Sequence, residues 1–356
     1  MKFVHIADMH FDMPFTLLSN RADMGEERRI DQRRAFKKMI EYIKENNIPY
    51  LFIAGDLYEH EYIRQSTIEY INKLFEEIPD TKIYITPGNH DPYLKNSYYN
   101  KYNWADNVKI FSSKIEKIET EEANIYGFGF DDFYCYNSGI KELTIENNEK
   151  LNILIIHASL AGAREDEKNY NVISEKEFKE KGFDYIALGH IHKRNIEDSR
   201  NIIYPGSAIS LGFDELGEHG MVVGEIEKGN INLEFVPLDE KEFIGEKMDI
   251  SDINILEELI EKINNKKIDE NKLYKIILSG QRNFEIDKYK LYKNLESKNI
   301  IKIKDETNIK IDLNQIANDY TLKGLFAKEI LNEMKDENID KELLDKVTEI
   351  GMEILS

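Results

Sequence analysis

The chain contains 356 residues, which is too long for one ordinary hydrophobic core and suits a large domain with one or two smaller ones. Its composition, 41% hydrophobic and 33% charged, is typical of a soluble globular protein, and no apolar stretch approaches the roughly 20 residues that span a membrane. The 68 acidic residues outnumber the 48 basic ones, and the net charge of −20 argues against simple electrostatic binding of nucleic acid.

The first predicted element is a strand over residues 3–7, and it is followed at once by Asp8 and His10. Because polar residues interrupt the apolar run so early, we expect no removable signal peptide. The single cysteine, Cys135, excludes an intramolecular disulfide and fits a reducing cytosol. It lies among aromatic residues, where we expect a packed thiol without a chemical role. These features predict a cytoplasmic protein that does not associate with membranes.

Residues 1–240 alternate strands with helices. Apolar residues at three- and four-residue spacings predict helices over about 26–45, 63–78 and 174–181. Short runs rich in β-branched and aromatic residues predict buried strands. These strands cover residues 3–7, 50–54, 83–86, 109–118, 123–130, 151–156, 185–188, 202–204, 220–227 and 230–237. A two-layer or sandwich core with flanking helices explains this order.

The composition changes after about residue 240, where the chain becomes rich in lysine, glutamate and asparagine. Residues 246–315 suit a small α/β domain without a chemical motif of its own. Its predicted elements are helices at 251–264 and 286–295 and strands at 274–279 and 300–303. Residues 321–356 show an amphipathic helical pattern. We therefore expect three parts, which are residues 1–240, 246–315 and 321–356.

Five short motifs, each after a predicted strand, contain residues that bind divalent metals. In chain order they are Asp8-Met9-His10, Gly55-Asp56, Gly88-Asn89-His90-Asp91, His157 and Gly189-His190-Ile191-His192. Residues at the ends of successive strands can converge on one edge of a sheet, where open α/β folds place their sites. The glycines allow tight backbone turns that aim each ligand inward.

The chemistry of phosphate ester hydrolysis needs an activated water and a sink for the charge on the phosphoryl oxygens. Two divalent ions about 3.5–4 Å apart supply both. They need a carboxylate that bridges them, together with imidazole and carbonyl ligands. Asp8 and His10 lie two residues apart, so that both can meet one ion at a strand end. His190 and His192 repeat this spacing.

Each motif alone has an ordinary structural explanation. An Asn-His-Asp sequence after a glycine is as often a turn, and a lone histidine such as His157 is usually a satisfied core residue. The ordered set of five, each after a strand, is not explained in this way. It indicates a two-metal phosphoesterase site.

This ordered set resembles the calcineurin-like metallophosphoesterase superfamily, whose motifs are Asp-x-His, Gly-Asp, Gly-Asn-His-Asp/Glu, His and Gly-His-x-His. The resemblance covers roughly residues 1–240. It implies a four-layer α-β-β-α sandwich with the metals between strand ends, here joined to a small α/β capping domain (246–315) and a C-terminal helical segment (321–356). It also implies two divalent ions, for which we expect Mn²⁺, with Mg²⁺, Fe²⁺ or Zn²⁺ as alternatives.

The resemblance also implies roles for the motif residues. Asp56 would bridge the two ions. His90 would bind no metal and would stabilise or protonate the leaving oxygen as general acid, while Asp91 would orient the His90 ring. The implied ligands are Asp8, His10, Asp56 and His192 for one ion, and Asp56, Asn89, His157 and His190 for the other.

Within the superfamily, residues 5–15 resemble the start of the bacterial YhaO-type group, which is related to SbcD and to the meiotic-recombination nuclease. Gly55-Asp56-Leu57-Tyr58 matches these nucleases and lacks the phosphate-clamping arginine of serine/threonine phosphatases. The resemblance implies an Mn²⁺-dependent DNA nuclease, exonuclease or endonuclease, that acts in DNA repair and recombination. Residues 321–356 would dock on an SMC-like coiled-coil ATPase. Because the chain is acidic, DNA binding would need metal cations, local basic patches or that partner.

One difference between this chain and the related nucleases concerns exonuclease activity. Archaeal relatives carry a second histidine three residues after the bridging aspartate, whereas this chain has Glu59 there and His60 one residue later. Either His60 replaces that histidine through a shifted loop, or the chain lacks it, as some bacterial relatives do.

Three apolar groups leave alternatives open. The aromatic residues after the third motif could stack on unpaired bases or pack their loop against the sheet, and we favour packing. The helix over 63–78 could form a homodimer surface or pack on its own sheet. The terminal helical segment could dock on the ATPase or pack on the chain itself. The aromatic group comprises Tyr93, Tyr98, Tyr99, Tyr102 and Trp104.

Two other functions compete with a DNA nuclease. A phosphodiesterase or phosphatase that acts on a cyclic nucleotide or another small molecule would suit the acidic charge. A non-catalytic scaffold for an ATPase would explain the tail, but the intact ligand set argues against a vestigial site.

Overall fold

A computed structural model describes residues 1–18, 24–136, 139–145, 149–161, 171–196, 201–309, 312–336 and 339–355. The chain forms two compact units. The first comprises Met1–Gly245, Ile268–Lys275 and Lys298–Lys302. The second comprises Glu246–Lys267, Ile276–Ser297 and Ile303–Ser356. The second unit thus contains most of residues 246–315, the expected capping domain, together with residues 321–356, the expected helical segment.

Two large sheets form the first unit in the described part of the chain. The strands of the first sheet are β1 (Lys2–Ile6), β2 (Tyr50–Ala54), β3 (Lys82–Thr86), β4 (Val108–Ile110), β10 (Gly220–Glu227) and β11 (Asn230–Pro237). Their order is β11-β10-β1-β2-β3-β4, with β1 to β4 parallel and β10 antiparallel to both of its neighbours. The parallel strands therefore all end at one edge of the sheet.

The second sheet repeats this arrangement. Its strands are β5 (Glu116–Glu119), β6 (Ala123–Phe128), β7 (Leu151–His157), β8 (Tyr185–Gly189) and β9 (Ile202–Ile203). They follow in sequence order, with β6 to β9 parallel and β5 antiparallel to β6. The helices of the first unit are α1 (Met24–Glu45), α2 (Gln65–Glu76), α3 (Tyr98–Lys101) and α4 (Glu175–Lys181), with a 3-10 turn at Thr16–Leu18.

Alternation along the strands produces the layers, because successive side chains point to opposite faces of a sheet. On β1, Val4 packs in the cluster that contains residues of α1 and α2, whereas Phe3 packs in the cluster between the two sheets. On the far face of the second sheet, Leu154 packs with Phe178 of α4. The order is helix, sheet, sheet, helix, which confirms the predicted α/β sandwich.

The helix predicted over 63–78 packs on its own sheet. Ile68, Ile71 and Phe75 of α2 are buried in the same cluster as the strand residues of the first sheet. The apolar stripe is therefore covered inside the first unit, as the packing alternative predicts.

The single strand predicted over 109–118 is wrong, because β4 and β5 belong to different sheets. The chain bends between them at residues 113–114, directly after Ser112. Oε1 of Glu116 accepts hydrogen bonds from the backbone N–H and the hydroxyl of Ser112, at 2.9 and 2.6 Å. Side-chain capping of this kind competes with continued strand pairing.

The remaining strands are β12 (Glu242–Asp249), β13 (Lys272–Ser279), β14 (Gln281–Arg282), β15 (Ile300–Asp305) and β16 (Asn308–Ile309). They form a sheet in the order β12-β13-β15 and a separate β14–β16 pair. The remaining helices are α5 (Leu256–Asn264), α6 (Lys288–Lys293), α7 (Leu313–Ile316), α8 (Leu322–Glu333) and α9 (Lys341–Ile354). None of the helices in the described ranges is long and apolar enough to cross a membrane.

Candidate metal centre

The five motifs meet at one edge of the sandwich, because each lies at the carboxyl end of a parallel strand. Residues after β1, β2 and β3 approach residues that end or follow β7 and β8. The first sheet contributes Asp8, His10, Asp56, Asn89, His90 and Asp91, and the second contributes His157, His190 and His192.

One cluster joins Asp8, His10 and His192. The Nε2 atoms of His10 and His192 lie 3.2 Å apart. Oδ1 of Asp8 is 3.8 Å from Nε2 of His192, and Oδ2 of Asp56 is 3.8 Å from Nε2 of His10. Ligand atoms of Asp8, His10 and His192 all lie within 4.8 Å of one another, so that they could share one cation.

A second cluster joins Asp56, Asn89 and His157. Nε2 of His157 is 3.3 Å from Oδ2 of Asp56 and 3.0 Å from Oδ1 of Asn89. Nδ1 of His157 donates to the carbonyl oxygen of Ala54 at 2.9 Å, which directs Nε2 toward the cluster. The Asp56 carboxylate thus approaches a histidine of each cluster, as a bridging ligand must.

His190 lies beside the second cluster, with its ring centroid 5.2 Å from that of His157. Its backbone N–H donates to both carboxylate oxygens of Asp8 at 3.1 Å. Burial and the neighbouring His157 lower the pKa of His190 to about 3. The ring is therefore neutral, which is the form that coordinates metals.

His157 and Asp56 form a buried ion pair. Burial lowers the pKa of His157, but the Asp56 carboxylate, together with Asp8 and the Ala54 carbonyl, raises it to about 9. Burial raises the pKa of Asp56, but His157 holds it well below its ordinary value. In the metal-free protein this imidazole therefore carries a proton, which a divalent cation would displace. Nitrogen and carboxylate oxygen donors at these distances fit divalent transition metals.

Four of these residues hold a left-handed backbone. The φ angles are 52° at Asp8, 49° at His10, 52° at Asp56 and 102° at His190. Residues other than glycine rarely adopt this backbone conformation, and each instance costs on the order of 1–3 kcal/mol. Strain of this kind persists where the surrounding structure holds residues for a function.

The motif glycines give the ligands space. A Cβ atom on Gly88 would lie 2.2 Å from Oδ1 of Asp56, and one on Gly55 would lie 2.2 Å from Nδ1 of His157. Gly55 also has φ of 90°, as expected for a tight turn, whereas Gly88 needs no special φ. Close approach of a ligand side chain therefore explains Gly88 better than turn formation does.

Residues 1–194 match the family model of the calcineurin-like phosphoesterases. The chain belongs to this family. It is 28% identical over 246 residues to the uncharacterized metallophosphoesterase YhaO of Bacillus subtilis (strain 168). That match covers 66% of this chain and 60% of the relative, so less than two thirds of the relative's length is represented.

The solved structure of TT1561 from Thermus thermophilus is a distant neighbour of this calcineurin-like phosphoesterase. It shares 8% sequence identity and has a TM-score of 0.40, over 66% of this chain and 98% of that chain. The likeness is too low to carry an argument about the site.

Two glutamates of this calcineurin-like phosphoesterase hold the histidines of the first cluster. Nδ1 of His10 donates to Oε1 of Glu59 at 2.7 Å, and Nδ1 of His192 donates to Oε1 of Glu215 at 2.6 Å. Burial raises the pKa of both carboxyls, but the hydrogen bonds from the rings lower it to about 2. Each carboxylate fixes its ring so that Nε2 faces the cluster. Sequence reasoning missed Glu215, because this residue follows no motif.

The expectation that Asp91 orients the His90 ring is wrong. Nδ1 of His90 instead donates to Oε2 of Glu59 at 2.9 Å. Asp91 is fully buried and accepts hydrogen bonds from the backbone N–H groups of Gly88, at 2.6 Å, and Asp56, at 3.1 Å. Its carboxylate therefore holds the backbone that presents the bridging ligand.

A cleft of about 470 Å³ opens over the centre. His60 lines it and packs edge-on against Phe133, with ring centroids 5.8 Å apart. Glu59, the neighbour of His60 in the sequence, contacts both His10 and His90. The residues that line the cleft are Asp56, Glu59, His60, Glu61, Asn89, His90, Phe133, Tyr134, His190 and His192.

The aromatic group after the third motif packs against the first sheet and its helices, which confirms the packing alternative. Tyr99 is buried, and its ring centroid lies 4.9 Å from that of Tyr58 and 6.1 Å from that of Trp104. Nε1 of Trp104 donates to the carbonyl oxygen of Tyr98 at 3.1 Å. None of this group is among the described residues that line the cleft.

Proposed function

We propose that this chain hydrolyses phosphoric esters with two divalent cations held by the two clusters. The observation that carries the proposal is the position of the Asp56 carboxylate, which lies 3.8 Å from Nε2 of His10 and 3.3 Å from Nε2 of His157. The bound cations would activate a water molecule and neutralise charge on the phosphoryl oxygens. Asp8, His10, Asp56 and His192 would hold one cation, and Asp56, Asn89, His157 and His190 the other.

His90 serves as the proton donor to the leaving oxygen in this proposal. One of its ring nitrogens lies within 4.8 Å of ligand atoms of His10 and Asp56, and the ring lines the cleft. Burial lowers the pKa of His90, but the hydrogen bond to Glu59 and the charges of Asp56, Glu59 and Asp91 together raise it to about 9. The imidazole is then protonated at neutral pH. Glu59 holds Nδ1, so that Nε2 is the nitrogen that donates.

The finer proposal is that the ester is a phosphodiester bond of DNA and that the cations are Mn²⁺. The nuclease-like opening at residues 5–15 and the nuclease-like Gly55-Asp56-Leu57-Tyr58 support it. The net charge of −20 opposes it, because neutralisation of phosphates supplies most of the affinity of DNA-binding proteins. Cations in the two clusters would supply part of the missing positive charge.

A second candidate is a phosphodiesterase that acts on small molecules such as cyclic nucleotides. Neither lysine nor arginine occurs among the described residues that line the cleft. Its volume of about 470 Å³ lies within the range of small-molecule pockets.

A coiled-coil ATPase remains the proposed partner of the terminal helices. Helices α7, α8 and α9 share a small core that includes Ala327 and Leu344, so the segment packs partly on itself. Apolar side chains nevertheless remain exposed on α8 and α9, which supports a helical partner there. They are Leu322, Leu325, Leu343, Val347, Ile350 and Ile354.

The test combines purified protein, Mn²⁺ and three substrates, which are end-labelled single-stranded DNA, end-labelled duplex DNA and bis(p-nitrophenyl) phosphate. We expect metal-dependent hydrolysis, and on the DNA substrates, whose leaving oxygen needs a proton, a fall of roughly 100- to 10,000-fold in His90→Ala, the usual contribution of a general acid. Cleavage of the small diester alone would favour the second candidate. Stoichiometric metal without hydrolysis of any substrate would leave the scaffold function.

A further inference from the structure

Two aromatic side chains line the same cleft as the candidate metal ligands. The segment that follows β6 leaves the sheet at the edge where β7 ends in His157, and the Phe130 ring lies 5.7 Å from the His157 ring. Phe133 and Tyr134 follow and line the cleft. The segment is anchored, because the carbonyl oxygen of Cys135 accepts a hydrogen bond from a backbone N–H at 2.8 Å.

Tyr134 lines the cleft and is 52% exposed, although the next residue, Cys135, is buried. Phe133 is partly buried against the ring of His60. The pair therefore forms an anchored aromatic wall beside the candidate metal ligands, and Tyr134 is its more exposed member.

The charges beside this wall limit which substituent of a phosphate ester can lie there. The neighbouring carboxylates belong to Glu59 and Glu61, and no lysine or arginine is among the described lining residues. Against the aromatic wall itself, a second phosphate or an acidic peptide would meet repulsion from these carboxylates. An uncharged, planar substituent would gain contact with the aromatic wall without that penalty.

We propose that Tyr134, supported by Phe133, stacks on a nucleobase next to the scissile phosphate, so that the substrate class is a nucleotidyl ester with an unpaired base. The inference rests on the proposed phosphoesterase function and deepens it. Stacking on an aromatic ring requires an accessible base face, and it tolerates all bases because each has such a face. The cleft volume of about 470 Å³ suits one nucleotide and not a duplex.

The kinetic test uses two diesters with the same leaving group, thymidine 5′-p-nitrophenyl phosphate and ethyl p-nitrophenyl phosphate. The readout is the ratio of their kcat/KM values with Mn²⁺. We expect the wild type to prefer the thymidine ester, and Tyr134→Ala to reduce that preference roughly 5- to 150-fold, the range measured for base stacking. Tyr134→Trp should keep it. Tyr136→Ala is the matched control, because Tyr136 is 80% exposed on the same segment and does not line the cleft.

A binding experiment tests the stacking site without requiring turnover. The affinities of a labelled oligothymidylate and of its abasic counterpart are compared by fluorescence anisotropy, and the ligands are checked for integrity by chromatography. We expect tighter binding of the oligothymidylate, and loss of that difference in Tyr134→Ala but not in Tyr136→Ala.

The kinetic and binding experiments distinguish failure of the stacking site from failure of the phosphodiesterase proposal. Equal kcat/KM values for both diesters in the wild type, or a preference that Tyr134→Ala leaves unchanged, would overturn the stacking site and leave the phosphodiesterase function standing. If neither diester is hydrolysed, the phosphodiesterase proposal fails, and the binding experiment decides the stacking site alone. Equal affinity for the base-containing and abasic strands would then overturn it.

Discussion

The Nε2 atoms of His10 and His192 lie 3.2 Å apart although 182 residues separate them in the chain. Each ring donates its Nδ1 proton to a glutamate, so the two Nε2 atoms face each other. Two facing nitrogen lone pairs repel each other unless a proton or a cation lies between them. The strands that carry both residues end at the same edge, and this architecture holds the rings in a geometry that suits a metal ion.

Glu59 should act on turnover through the two histidines that it holds. We expect Glu59→Gln to reduce kcat roughly 10- to 100-fold, because one carboxylate orients both His10 and His90 and loss of such a partner has effects of this size. Steady-state kinetics with saturating Mn²⁺ measures it. Glu61→Gln is the control, since Glu61 lines the same cleft. A wild-type kcat in Glu59→Gln would show that the hydrogen bonds do not matter.

Glu215 should affect metal affinity. Its carboxylate fixes the His192 ring through the 2.6 Å hydrogen bond to Nδ1, so Glu215→Gln should weaken Mn²⁺ binding roughly 10- to 100-fold. Isothermal titration calorimetry gives the affinity. The control Asp214→Asn removes the exposed carboxylate directly before Glu215 and should keep the wild-type Mn²⁺ affinity. Equal affinities in all three proteins would contradict the role of Glu215.

Gly88 should tolerate no side chain. A Cβ atom would lie 2.2 Å from Oδ1 of Asp56, so Gly88→Ala must displace the bridging carboxylate or the backbone. We expect a loss of about 1–3 kcal/mol in the free energy of unfolding, as for other overpacked sites, together with weaker metal binding. In the control Gly25→Ala, the new Cβ atom has its nearest neighbours at 3.8 Å. The expectation fails if Gly88→Ala matches the wild type in both measurements.

His5 should make the stability depend on pH. Burial lowers the pKa of His5 to about 3, whereas an unfolded histidine has a pKa of about 6.5. Between these values the unfolded state binds one more proton, so stability falls by up to about 1.4 kcal/mol for each unit that the pH drops. The contribution is fully present above the unfolded pKa.

Urea unfolding at about pH 7 and about pH 5 measures this dependence in the wild type and in His5→Gln. The variant should lose less stability on acidification, while an amide side chain can still reach the Tyr185 hydroxyl, which lies 3.0 Å from Nδ1 of His5. Identical pH dependence in the two proteins would exclude His5 as the source.

The sandwich was predictable because both faces of each central strand are apolar and each strand has a sharp polar end. Tyr50-Leu51-Phe52-Ile53-Ala54 gives a buried strand on any assignment, and Asp56 marks its end. The break near Ser112 was not predictable from periodicity. A hydrogen bond between the Ser112 hydroxyl and Glu116 accompanies the break, and the apolar residues on either side of it continue the same pattern.

The site residues were predictable where a motif follows a strand. They were less predictable where a side chain outside the motifs hydrogen-bonds a candidate ligand. Asp8 and His157 are found from their positions at strand ends. Glu215 reaches His192 from a segment without a motif, and glutamates are too common in an acidic chain to single one out. Asp91 was assigned the wrong contact because sequence adjacency to His90 says nothing about the direction of its side chain.

In the proposed centre, two cations share the Asp56 carboxylate. The most direct measurement is the number of Mn²⁺ ions bound per chain, obtained by equilibrium dialysis and elemental analysis of the wild type and of Asp56→Ala, with circular dichroism as the check on folding. We expect two ions in the wild type, and one or none in the folded variant. Two ions retained in Asp56→Ala, or a single ion in the saturated wild type, would contradict this expectation.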